Sequence, residues 1–136
     1  MLRFIHAWLV YTWGGLHRYF GNKNNMVSEH ERAIHYFAKA YQIDPTFRAA
    51  RLQRAVLLYR ELRRHQEAVA EFDALLDGDR TYAAALLNRG LALQEIGRYP
   101  EALADIEQYL KLPEKDDYRE EVVRIAAFLR EIVSES

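Results

Sequence analysis

Cysteine is absent from the 136 residues, which excludes a disulfide framework, a thiolate metal site and a cysteine nucleophile. A large charge of either sign is missing as well: the formal net charge is −1 and the sequence pI is near 6.5. The totals therefore give no pull toward nucleic acid. No apolar run is long enough to span a bilayer; the richest, residues 4–13, is too short and contains His6. Trp8, Tyr11 and Trp13 interrupt what a secretory signal needs as an aliphatic core, only Arg3 leads into it, and no small-residue cleavage site follows, so secretion is not expected. Catalytic signatures are equally scarce. His6, His17, His30, His35 and His65 include no i, i+4 pair, no Gly-rich phosphate loop or nucleophile motif occurs, and the acidic residues show no paired-carboxylate context. The expectation is a non-enzyme with no catalytic residue, no metal and no cofactor.

What is present is a period. Half of the residues are apolar, enough for one domain with a buried core. Residues 52–72 recur as 86–106 at a spacing of 34: Leu52 falls on Leu86, Tyr59 on Leu93, Glu67 on Glu101, Ala68 on Ala102 and Phe72 on Ile106. A fixed period of that length predicts stacked helix-turn-helix units. The charge is also unevenly spread. Residues 1–28 hold Arg3, Arg18 and Lys23 and no acidic residue, whereas the chain after Pro100 holds ten acidic residues against five basic ones.

The helices follow from spacing and punctuation. Thr46 is placed to cap a helix over about residues 47–62 whose buried face is Leu52, Ala55, Val56 and Tyr59. After a turn at residues 63–66, Ala68, Val69, Phe72, Leu75 and Leu76 form the next apolar stripe, closed by Gly78 in a left-handed conformation. Thr81 is placed to cap a helix carrying Leu86, Leu87, Gly90, Leu91 and Leu93 and ending at Gly97. Pro100 opens its partner, which carries Ala102, Leu103, Ile106, Tyr109 and Leu110 until Pro113. Upstream, Ser28 and Glu31 read as a capping box before Ala33, Phe37 and Ala40. Trp13, Leu16, His17 and Phe20 match the first-helix spacing with His17 in the small-residue place, and a turn-rich loop over residues 21–27 holds four extra residues. Downstream, Asp116 or Asp117 is placed to cap a last helix over about residues 118–133. Its apolar stripe is Tyr118, Val122, Ile125, Ala126, Leu129, Ile132 and Val133.

These positions resemble the tetratricopeptide repeat, whose pattern runs Trp-x2-Leu-Gly-x2-Tyr, then Ala-x3-Phe, then Pro. The third repeat supplies Leu86, Arg89, Gly90, Leu93, Ala102 and Ile106, the second Leu52, Ala55, Val56, Tyr59, Ala68 and Phe72, and the first ends on Ala33, Phe37, Ala40 and Pro45. Leu75, Tyr109 and Arg80 depart from the pattern. The resemblance implies an all-α solenoid of three such repeats plus a C-terminal capping helix, seven helices in all. It divides a single domain into an apolar extension (1–10), repeats over 11–47, 49–82 and 83–115, and a cap over 117–133.

The same resemblance implies a concave groove for an extended peptide or a partner helix. Its lining positions are Gln53, Leu57, Arg60 and Glu61 in the second repeat and Leu87, Leu91, Gln94 and Glu95 in the third. Some members clamp a partner's C-terminal carboxylate. Asn88 and Arg124 fall on two clamp positions, but Gln53, Leu57 and Glu120 occupy the others, and Glu120 would repel an anion. A chaperone-tail clamp is therefore not expected. The arginines at 48, 51, 54, 60, 63 and 64 scatter around their axis beside Glu67, Glu71, Asp73 and Asp77, which predicts ion pairing and not a nucleic-acid face.

Residues 1–10 lie outside the pattern. Leu2, Phe4, Ile5, Ala7, Trp8, Leu9 and Val10 leave Arg3 and His6 as a narrow polar strip. Such a segment has three uses: packing on the helix that follows, burial against another protein or a second copy, or contact with a membrane interface through Phe4, Trp8 and Tyr11. The functional expectation is a non-enzymatic scaffold or adaptor that binds a protein partner through the groove and this helix. The alternative is a membrane-peripheral accessory subunit or assembly factor. A cytoplasmic location, with or without membrane association, fits both.

Overall fold

A computed structural model of the chain describes residues 1–113 and 116–136; the expected end of the third repeat, at 115, lies outside the described residues. Seven helices and no strand occur among them: α1 (Leu2–Asn24), α2 (Val27–Ile43), α3 (Arg48–Arg60), α4 (His65–Gly78), α5 (Ala83–Glu95), α6 (Tyr99–Lys111) and α7 (Arg119–Glu135). The all-α expectation and its helix count hold. The residues form two compact units, Met1–Glu71 and Phe72–Ser136.

In the first unit α1 packs on α2, and α2 on α3. Three small residues at seven-residue steps, Ala7, Gly14 and Gly21, form the buried side of α1. A Cβ on Gly14 would sit 2.9 Å from the Phe37 ring, and one on Gly21 would sit 2.5 Å from the His30 ring, so missing side chains let the two helices approach. In the second unit α5 packs on α6 and α6 on α7. There Gly90 is the point of approach, with Ile106 2.8 Å from where its Cβ would stand. Arg89, beside it, donates from Nε and Nη2 to both carboxylate oxygens of the buried Asp105 at 2.7 and 2.8 Å, and from Nη1 to Asp73 at 2.9 Å. These contacts hold the Arg89 pKa above its already high ordinary value, the hydrogen bond to Asp105 being the main cause.

Gly90 and Ile106 in this hairpin correspond to Gly14 and Phe37 in the first. Gly14, and not His17, therefore holds the small-residue place. Twenty-three positions separate Gly14 from Phe37 and sixteen separate Gly90 from Ile106, so the first hairpin is longer by seven residues rather than four. Most of the excess is helical: α1 continues to Asn24, and residues 21–24 are not the expected loop. Gly21 is held there by its packing on His30, and Asn22 Oδ1 lies 2.8 Å from His30 Nε2.

The α1–α2, α3–α4 and α5–α6 connections each pass through one left-handed residue: Asn25 (φ 52°), Arg63 (φ 58°) and Gly97 (φ 79°). Arg63 and Gly97 are one 34-residue period apart, so the backbone repeats even where the side chain does not favour it. Gly78, expected to close α4 in this conformation, is its last helical residue and has no positive φ.

Four expected N-caps are corrected. Thr46 and Thr81 do not cap α3 and α5, which begin after Phe47 and Tyr82 without a side-chain cap. Instead Asp44 accepts hydrogen bonds from the backbone N–H and hydroxyl of Thr46 (3.1 and 2.6 Å), and Asp79 accepts the same pair from Thr81 (3.0 and 2.9 Å). An aspartate two residues ahead takes the hydroxyl that a cap would need. Ser28 and Glu31 form no capping box, since α2 starts at Val27 after an uncapped Met26. Likewise α7 starts after Tyr118, with no cap from Asp116 or Asp117, and Tyr118 is exposed. Of the rest of its stripe, Val122, Ala126 and Leu129 are buried, while Ile125, Ile132 and Val133 are half-buried.

Candidate functional site

Four of the expected groove positions come together in the first unit. Gln53, Leu57, Arg60 and Glu61 project from α3 into a shallow open concavity of about 160 Å³, completed by Val56 and, from α1, by Arg18 and Asn22. Its floor is apolar, with Leu57 buried, and its rim is polar, with Arg60 and Glu61 exposed. The volume is well below the few hundred Å³ that small-molecule sites occupy. It suits one side chain or a terminal carboxylate of a longer ligand.

Arg18 reaches across from α1 and donates to Gln53 Oε1, which fixes its guanidinium at the rim. Arg60 donates from Nε to the Tyr59 hydroxyl at 3.1 Å and lies 5.7 Å from the centre of that ring. Among the described residues neither arginine has a carboxylate partner, in contrast to the arginines around them. Arg51 and Arg54 engage Glu71, and Arg64 engages both Glu31 and Glu67. The rim thus carries two guanidinium groups outside any ion pair together with the Glu61 carboxylate, and a planar fork is a group well matched to a carboxylate.

Arg18 and Asn22 escaped the sequence reading because their helix was read three residues out of register, with Asn22 in an expected loop. The signal that could have found them is the heptad of small residues Ala7, Gly14 and Gly21, which fixes the buried side of α1 and hence the side on which Arg18 lies.

Behind the concavity, at the same end of α1, the ring of His17 stacks on Tyr36 with 5.3 Å between centroids, and its Nδ1 lies 2.6 Å from Glu29 Oε2. That hydrogen bond, assisted by Arg32, holds the Glu29 carboxyl below its ordinary pKa. Asp44 is likewise lowered by the Thr46 hydrogen bonds.

The other expected positions are placed differently. On α5 of the second unit, Leu87 is buried, Leu91 and Gln94 are half-buried and Glu95 is exposed. Asn88 donates to Ala84 O at 2.8 Å within its own helix, and Arg124 lies 3.8 Å from Glu120 on the exposed side of α7. Near the start of α1, Tyr11 packs on Phe37 and Phe47 with centroids at 5.5 and 4.9 Å, and Phe4 packs on Phe47 at 5.7 Å. Trp8 stays about half exposed. Among the described residues no cluster of His, Asp and Glu could hold a metal ion, and no helix is long and apolar enough to cross a membrane.

The sequence of residues 83–116 matches the family model described as tetratricopeptide repeat. No curated protein matches the chain. Solved structures do. The first tetratricopeptide domain of Spaghetti (RPAP3), bound to the HSP90 peptide SRMEEVD, superposes with a TM-score of 0.77 at 21% identity, covering 94% of this chain and 93% of that one. The first such domain of human RPAP3 gives 0.76 at 21% identity, with coverage of 95% and 93%. The Sgt2 domain from Aspergillus fumigatus gives 0.70 at 19% identity, with coverage of 90% and 82%. Residues 83–116 therefore carry a tetratricopeptide-repeat sequence, and the chain has the fold of tetratricopeptide-repeat domains.

Proposed function

We propose that the chain is a non-enzymatic protein-interaction scaffold whose concavity between α1 and α3 holds an acidic peptide segment of a partner. The observation that carries this reading is the pairing of Arg18 and Arg60, two rim arginines without a carboxylate partner beside an apolar floor. The structural likeness adds support of a general kind, since the first domain of Spaghetti (RPAP3) is bound to the acidic HSP90 peptide SRMEEVD and the second domain of human RPAP3 to the HSP70 peptide SGPTIEEVD. The binding chemistry proposed here uses Arg18 and Arg60 of this chain. Gln53 positions Arg18, Leu57 supplies the floor and Glu61 sets the orientation of an anion by repulsion.

A fluorescent SRMEEVD peptide and its Gln and Asn analogue test the reading. The acidic peptide is expected to bind and the neutral one to bind at least about tenfold more weakly. Arg18→Gln with Arg60→Gln removes that difference and leaves the melting temperature unchanged. Equal binding of the two peptides, or an unchanged double variant, overturns the proposal.

A second reading, a membrane-peripheral accessory subunit or assembly factor, is favoured by one observation: the side of α1 facing away from α2 is apolar and exposed along its length.

A further inference from the structure

Leu2, Ile5, Leu9, Trp13, Leu16 and Phe20 recur at steps of three and four residues and so form one stripe down α1. They are between 41% and 83% exposed. Ala7, Gly14 and Gly21, on the opposite side, are buried. Trp8 and Tyr19, also about half exposed, widen the stripe along one edge. Trp8 and Trp13 are the two tryptophans of the chain.

Charge decides what this face fits. α1 carries Arg3, Arg18 and Lys23 and no Asp or Glu. In the rest of the first unit, Glu29, Glu31, Glu67 and Glu71 are ion-paired, Asp44 is buried, and Glu61 lines the concavity between α1 and α3. Residues 1–71 hold eleven Lys and Arg against six Asp and Glu, a net charge of +5. A second copy is a poor occupant. Two α1 helices side by side would oppose cation to cation in either direction. Beyond residue 27 the exposed large apolar residues among those described are Tyr118, Val123 and Phe128, spaced by five and so spread around α7 instead of forming a matching stripe. An apolar helix face edged by Trp and Tyr, with cations and no anions, has the composition of a helix lying in a lipid headgroup layer.

We propose that this face of α1 docks on an anionic lipid surface, lying parallel to it. The apolar stripe enters the headgroup boundary, Trp8 and Trp13 sit at headgroup level, and Lys23, three residues beyond Phe20 on the same side of the helix, meets lipid phosphate and carboxylate groups. The proposal rests on the membrane-peripheral reading and is independent of the peptide reading.

Intact protein is mixed with vesicles of phosphatidylcholine alone and of phosphatidylcholine with an equal amount of phosphatidylserine, following tryptophan emission and co-sedimentation. Blue-shifted emission and pelleting with the serine-containing vesicles are expected. Lys23→Gln reduces that binding about fivefold, and Leu9→Glu with Leu16→Glu abolishes it; both variants retain helical circular dichroism. Equal binding to the two vesicle types keeps the membrane reading and overturns the anionic assignment. Binding to neither overturns both. A blue shift that grows with protein concentration without lipid, together with a doubled mass in sedimentation, overturns the proposal in favour of a second copy.

Discussion

Gly14 and Gly15 are neighbours in α1 with opposite tolerances. A methyl at Gly14 meets the Phe37 ring at 2.9 Å, whereas one at Gly15 meets nothing within 4 Å. Gly14→Ala is expected to cost about 1 kcal/mol or more through overpacking, and Gly15→Ala to gain up to about 1 kcal/mol from helix propensity alone. Urea denaturation of the two variants checks the sign. Glu29 gives a pH signature. Its folded pKa lies below the ordinary 4.5, chiefly through the His17 hydrogen bond, so its contribution to stability is present above that value and is lost as pH falls through the folded pKa. Glu29→Gln is expected to flatten the fall of melting temperature below pH 4.5.

At the scale of elements, the helices were legible because their apolar stripes are periodic. Ala68, Val69, Phe72, Leu75 and Leu76 on α4 are all buried as expected. The ends were less legible, because a hydroxyl that looks like a cap answers to a nearer acceptor, as Thr46 does to Asp44. The candidate site was half legible. The α3 positions followed from the family resemblance, but a groove has a second wall, and Arg18 becomes its wall only once Gly14 is set against Phe37. The first turns of α1 depend on one long-range anchor, Phe47, which meets both Phe4 and Tyr11. Phe47→Ala is expected to cost about 2–3 kcal/mol and to speed amide exchange in the first turns of α1 more than in α5 or α6. Uniform acceleration across all helices would show that Phe47 is part of a general core instead.

For the molecule as a whole, a net charge of −1 conceals a separation. Residues 1–71 carry +5, and residues 72–136, with eight basic and fourteen acidic residues, carry −6. Attraction of an acidic ligand to the first unit is screened over about 8 Å at physiological ionic strength. The association rate of an acidic peptide is therefore expected to fall as salt rises from about 0.05 to 0.5 M, with a smaller change in dissociation rate. Stopped-flow measurement separates the two, and a salt-independent association rate would place the arginines' effect in contact alone. The seven residues by which the first hairpin exceeds the third have a consequence of a different kind. A seven-residue step is close to two full helical turns, so it returns each helix to nearly the same phase and leaves the faces that meet unchanged. Hairpin length in such a chain is in effect quantised: insertions that complete turns are silent to the packing, while others rotate a buried face into water.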